Sequence, residues 1–320
     1  MESRSTTART RVAMEVYMGR SGEAERRKTQ LAIIAGLLMV GITAIQFVAA
    51  RFSLREQLTA ADISALRFAG AGLIFLPILC TAGLTKLRAL GWRRASILAA
   101  LVGLPYPLLI NWGLAHAPAA HAAALCPASI VFCSFVFSRL VFKDVVSRRR
   151  VIGIAAIIAG LLIFIFGSGP QATDAAFGDL LFVASGVMFS TYAILVRRWA
   201  VDPVTATAAV VLLSCLPLPL LHGLAPSGLS VASASEIGAQ IVIQGFLAGA
   251  AATFLYTYAI RQLGPQIASL FMPCIPIATA LTGMAVLGEM PTPVQLAAIV
   301  IMTMGMLLPV LQKSSDFARP

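Results

Sequence analysis

Nine stretches of 17 to 44 residues contain no Asp, Glu, Lys or Arg: 29–50, 68–85, 95–138, 151–173, 180–196, 203–235, 237–260, 262–288 and 290–312. An α-helix needs about 20 apolar residues to cross roughly 30 Å of hydrocarbon. In lipid only helices and closed barrels satisfy all their own backbone polar groups. Uncharged runs of this length, placed almost end to end, therefore dictate a bundle of membrane helices. Charged residues make up 12% of the chain, against about 25% in soluble domains, so too little polar surface remains to cover a soluble globule. The cysteines, Cys80, Cys126, Cys133, Cys215 and Cys274, all lie inside apolar stretches with no CxxC or Cys/His grouping. They read as small packing residues, and neither a metal nor a cofactor is expected.

The 44-residue run 95–138 is about twice the length one helix needs, and Ala117-Pro118 lies near its middle. It divides into two helices joined by a tight hairpin. In run 203–235 the second part holds Gly223, Pro226, Gly228 and four serines, which is loop chemistry. The predicted fold is an all-α integral membrane bundle of ten transmembrane helices. Residues 1–30 are expected as a flexible cytoplasmic tail, and the run from Leu31 is too long for a signal-peptide core and lacks an A-x-A site. With that tail in the cytoplasm, twenty Lys/Arg fall on the cytoplasmic side and only Arg51 and Arg55 on the other, with Arg67 and Arg139 inside spans. Such an imbalance over short loops sets orientation. It places both termini in the cytoplasm and accounts for the net charge of +11 without a nucleic-acid partner.

Residues of like kind recur at a near-constant distance. Gln46/Tyr192, Arg51/Arg197, Trp112/Tyr258 and Pro127/Pro273 are 146 apart; Asp144/Glu289, Ser147/Thr292 and Gly160/Gly305 are 145 apart. One duplication explains them all. Five spans per copy is an odd number, so the second copy enters the membrane from the opposite side and the repeats, 31–167 and 177–311, are inverted. That architecture exposes a central site to one face and then the other.

The same residues carry a family resemblance. Leu287-Gly288-Glu289 followed by Thr292, Gln295 and Gly305 resembles the repeat signature of the EamA-type transporters of the drug/metabolite superfamily. In the first half Val141-Phe142-Lys143-Asp144 replaces the usual Leu-Gly-Glu. Leu66-Arg67-Phe68, the stretch from Ala115 to Leu125 before Pro127, and Gly178-Asp179-Leu180-Leu181 add to the likeness, which covers nearly all of 31–311. The resemblance implies a ten-helix inner-membrane carrier, commonly an exporter of amino acids or other small metabolites.

A charge inside a span is costly and marks a candidate site. Arg67 lies five residues past Asp62. It is deep enough to meet a substrate carboxylate or phosphate and shallow enough to snorkel outward. The uncharged polar and aromatic candidates for substrate binding are Gln46, Tyr106, Asn111, Trp112, Tyr192, Gln244, Tyr256 and Tyr258. Repeat mates among them would meet near the pseudo-axis, although Trp and Tyr also form interfacial belts. Pro127 and Pro273 are the hinge candidates. His116 and His121 flank the hairpin and read as interfacial turn residues, and Asp62, Asp179 and Glu236 as helix caps. No HExxH, GxSxG or paired intramembrane carboxylate supports an enzyme. The sequence thus points to an alternating-access carrier exporting a small polar metabolite, with the bilayer as its other partner and a homodimer left open. A flippase for a lipid or lipid-linked sugar, or a multidrug efflux carrier, is the alternative.

Overall fold

The computed structural model describes residues 2–78, 88, 90–143, 148–166, 173–201, 203–224 and 226–316, and these contain helices and connections without a strand. In chain order they are α1 (Glu2–Glu56), α2 (Ala60–Ile78), α3 (Trp92–Val102), α4 (Pro105–His116), α5 (Ala119–Phe142), α6 (Arg148–Phe166) and α7 (Thr173–Arg198). Then follow α8 (Pro203–Cys215), α9 (Leu218–Leu224), α10 (Ala234–Gln240), a π-wound segment (Ile241–Ala251), α11 (Ala252–Ala268), a 3₁₀ turn (Ser269–Phe271), α12 (Cys274–Leu287) and α13 (Pro293–Asp316). Seven helical stretches among the described residues are long and apolar enough to cross a membrane, and Cys274–Leu287 and Pro293–Leu308 are shorter apolar helices.

Three expectations meet the structure here. The run 95–138 does break at Ala117-Pro118: α4 ends at His116, Pro118 caps α5, and the proline has no N–H to continue the first helix. The stretch expected as a tail, 1–30, is continuous with the first span in α1, which is helical from Glu2 onward. Asp179 is not at a helix start. Its helix begins six residues earlier, at Thr173.

Packing is inverted relative to a soluble protein. Large side chains such as Leu37, Leu73, Phe166, Leu180 and Phe254 are exposed, while Ala117, Ala122, Ala123, Ala124 and Ala128 are fully buried along the hairpin and α5. Without water to drive burial, membrane helices associate by close backbone approach, and small residues permit it. A Cβ added to Gly160 of α6 would lie 3.1 Å from the Ala298 carbonyl and also strike Met302; one added to Gly305 of α13 would lie 2.7 Å from the Gly153 carbonyl and 2.9 Å from Ile157. These contacts are one contact seen twice, since 160/305, 157/302 and 153/298 are all 145 apart.

The helix pairings obey the same exchange. α5 packs on α7 as α12 packs on α1, α4 on α7 as α11 on α1, and α3 on α8 as the π segment on α2, whereas α6–α13 and α5–α12 map onto themselves. Even the divergent copy of the signature keeps its shape. Gly288 ends α12 in the left-handed region at φ 65, and its counterpart Lys143 ends α5 at φ 53. A glycine takes this conformation freely and a lysine at a cost.

Candidate functional site

The polar centre forms where α2 meets the π segment. Gly70 and Gly245 pack backbone against backbone: a Cβ on Gly245 would lie 2.7 Å from the Gly70 Cα. That approach puts Arg67, three residues before Gly70, beside Gln244, one residue before Gly245. The Arg67 Nη1 donates to Gln244 Oε1 at 3.5 Å, and Gln244 Nε2 donates to the main-chain carbonyl of Gln46 at 3.1 Å. Gln244 is 2% exposed and Arg67 half-buried. Long π-wound segments are rare and often occur at functional sites.

The guanidinium thus turns inward onto an amide. Among the described residues no carboxylate pairs with it. The Tyr106 phenol lies within its electrostatic reach, and from Tyr106 an aromatic line runs to Phe189 at 5.8 Å and on to Tyr192 at 6.0 Å between ring centroids. Arg67, Gln244 and the main-chain carbonyl of Gln46 thus form one group that takes residues from both repeats, and Tyr192 lies two ring contacts beyond Tyr106. Asn111, 4% exposed, donates from Nδ2 to Ser64 Oγ at 3.0 Å and ties α4 to α2 one turn before Arg67.

The other candidates lie differently. Trp112 is 49% exposed, edge-on to Phe177 at 5.7 Å, and Phe177 also meets His116. Tyr256 and Tyr258 are half-buried on α11, Tyr256 against the main core. None of these three makes a hydrogen bond or ring contact to the Arg67 group among the described residues. Pro127 sits inside the unbroken α5, whereas Pro273 precedes α12 just after the 3₁₀ turn, so the two mates serve different backbone geometries.

A second cluster, which residue types alone did not reveal, seals the end of the bundle where the α4–α5 hairpin lies. The Arg51 Nε donates to Glu289 Oε1 at 3.0 Å and the Arg55 Nη2 to the same oxygen at 2.6 Å. The other oxygen, Oε2, accepts from the Ala119 N–H at 2.9 Å, at the start of α5. Arg51 also donates to the carbonyls of Leu114 and Ala115 at the end of α4, and Arg55 to that of Leu287. One carboxylate thus joins α1, the hairpin and the end of α12. The signal in the sequence was that Arg51 and Arg55 are the only bases that the predicted topology puts on its non-cytoplasmic side.

Beside it, His121 and Asp179 form a buried pair, with His121 Nδ1 2.7 Å from Asp179 Oδ1 and side chains 3% and 5% exposed. His121 is therefore not an interfacial turn residue, nor Asp179 a cap. Capping does fall to Asp62: Thr59 Oγ1 accepts from the Asp62 N–H, and Asp62 accepts from the Thr59 N–H at 2.9 Å. Its carboxylate also takes Ser227 Oγ–H and the Gly228 N–H, pinning the loop before α10. Asp144, the mate of Glu289, lies outside the described residues.

A family description, the EamA-like transporter family, matches residues 30–166 and again 176–311. The chain belongs to the EamA-like transporter family. It is a multi-pass membrane protein with that family's two-repeat architecture, a transporter of the drug/metabolite type. Among solved structures 23 chains match. One, described only as "Crystal structure of protein", is 20% identical, covers 90% of this chain and 98% of its own length, and superposes with a TM-score of 0.59. That likeness bears on the fold alone. No curated protein matches.

Proposed function

We propose that the chain is a ten-span, inverted-repeat carrier of the inner membrane, both termini cytoplasmic, that exports a small metabolite bearing an acidic group, such as an amino acid or related amphiphile, by alternating access. The carrying observation is Arg67. An intramembrane cation set on a buried amide, with no carboxylate beside it among the described residues, provides a counter-charge for an anionic substrate group. A guanidinium fork suits a carboxylate better than any other side chain does. Gln244, released toward the substrate, supplies an amide to a second polar group, and the Tyr106–Phe189–Tyr192 line offers apolar area for the remainder.

Alternation is supported by the exchange symmetry of the helix pairings and by the seal around Glu289. Breaking the Arg51–Glu289 and Arg55–Glu289 pairs would free the hairpin from α1 and open that face. On the other face Arg197, the mate of Arg51, donates to Ser138 Oγ at 3.3 Å and lies 3.9 Å over the Phe142 ring. We read this second face, which holds the excess of bases, as cytoplasmic, and the Glu289 seal as the external closure. Uptake of labelled amino acids, cationic drugs and lipid-linked sugars into inside-out vesicles tests the reading. Saturable uptake of the acidic solutes supports it, and movement of the lipid-linked sugar alone replaces it with a flippase.

A further inference from the structure

The Glu289 seal has a titratable neighbour that the substrate site does not use. Thr292 and Gln295 form a reciprocal cap at the start of α13: Thr292 Oγ1 accepts from the Gln295 N–H at 3.2 Å, and Gln295 Oε1 accepts from the Thr292 N–H at 2.8 Å. The amide oxygen is committed, so the group Gln295 presents to His121 Nε2, at 3.0 Å, is its NH₂ donor. His121 Nε2 must then accept. The ring proton resides on Nδ1 and is donated to Asp179. The ring is thus held between an acceptor on α7 and a donor on α13.

A proton added at Nε2 would set two donors against each other, and Gln295 cannot turn its oxygen to the ring without abandoning Thr292. Four charged groups surround the ring. Asp179 faces the ring from α7; from α1 and the loop after α12 come Arg51, Arg55 and Glu289, reached through Ala119, two residues before His121. Within α5, Cys126 meets Ser185 at 3.4 Å. From α6 the Phe164 ring meets it edge-on at 4.5 Å, and on α4 His116 packs against Phe177.

The fold does not require this pair. By the 145 to 146 repeat, the counterparts of His121, Asp179 and Gln295 are Ile267, Ile33 and Arg150, and the two isoleucines are 50% and 41% exposed.

We propose that His121, with Asp179 and Gln295, is a proton-binding site that unlatches the Glu289 face. Protonation of Nε2 from external water breaks the Gln295 contact, loosens α5 from α13 beside the Glu289 seal and favours the outward-open state. Re-closure returns the proton to the same water. The assignment of this face to the outside rests on the carrier reading above.

Two measurements on the full chain in lipid nanodiscs test the proposal. Nitrogen-15 NMR of the imidazoles, with His121 identified by its loss in His121→Gln, should show an Nδ1–H, bare-Nε2 neutral ring at pH 7.5 that takes up a proton as pH falls to 5.5. Spin labels on Gln57→Cys and Met290→Cys, in a background without native cysteines, should move apart over the same pH range. In Gln295→Glu the midpoint should rise by about one pH unit or more, because a carboxylate now accepts from the protonated ring; in His121→Gln the movement should vanish. A ring that stays neutral throughout, or a separation independent of pH, overturns the proposal even if His121→Gln fails to fold. If the latch titrates as described but no solute in the vesicle panel moves, the carrier reading fails and the proton site stands.

Discussion

At the residue scale the account turns on single side chains whose surroundings are unusual for their type. Arg67→Ala should lower kcat/KM for anionic and zwitterionic solutes by roughly 30-fold or more, the equivalent of at least about 2 kcal/mol for losing one partner of a buried charge contact, while cationic solutes change little. Vesicle uptake with matched acidic and basic solutes measures the difference, and equal loss for both would make Arg67 a structural residue. Lys143 supplies an independent check. It holds the left-handed conformation that its mate Gly288 adopts freely, so Lys143→Gly should stabilise the protein by about 1 kcal/mol, read as a higher midpoint of thermal unfolding in detergent. Intramembrane charge marked Arg67 in the sequence, but its direction did not follow, because spacing gives depth and not rotation about the helix axis. His121 and Asp179 were misread for the same reason: each lies close to a predicted helix end, where capping and interfacial roles are common, and only packing against α13 turns them into a buried pair.

At the element scale the uncharged runs fixed most of the helices, since the hydrocarbon thickness sets their length and a proline without an N–H splits the longest run. What stayed hidden was winding. Nothing in Ile241–Ala251 announces a π segment, because apolar residues around Gly245 and Gly249 suit an α-helix equally; the backbone contact with Gly70 is what makes the local geometry consequential. The symmetric α6–α13 seam gives a direct test. Gly160→Val and Gly305→Val should each destabilise by about 1 to 3 kcal/mol through overpacking, and by similar amounts, because each side chain would enter the same contact from opposite helices. Unfolding in mixed micelles measures both, and one neutral and one severe result would contradict the exchange symmetry.

At the scale of the whole molecule two repeats meet around a polar centre, and a carboxylate closes one end. The duplication was legible because it left seven residue pairs at a near-constant offset. The seal was less so, because Arg51, Arg55 and Glu289 are brought together only by the fold. Glu289→Gln removes the charge that two arginines share and should leave the hairpin face open, slowing transport severalfold while the substrate site still binds; binding lost together with transport would mean that Glu289 acts on the site itself. The most direct measurement of the central claim is solute uptake by inside-out vesicles carrying the wild type beside Arg67→Ala, with acidic, zwitterionic and cationic labelled solutes in one panel. The account predicts saturable uptake of a carboxylate-bearing solute that Arg67→Ala abolishes selectively. Uptake that ignores the substitution, or no movement of any carboxylate-bearing solute, would contradict it.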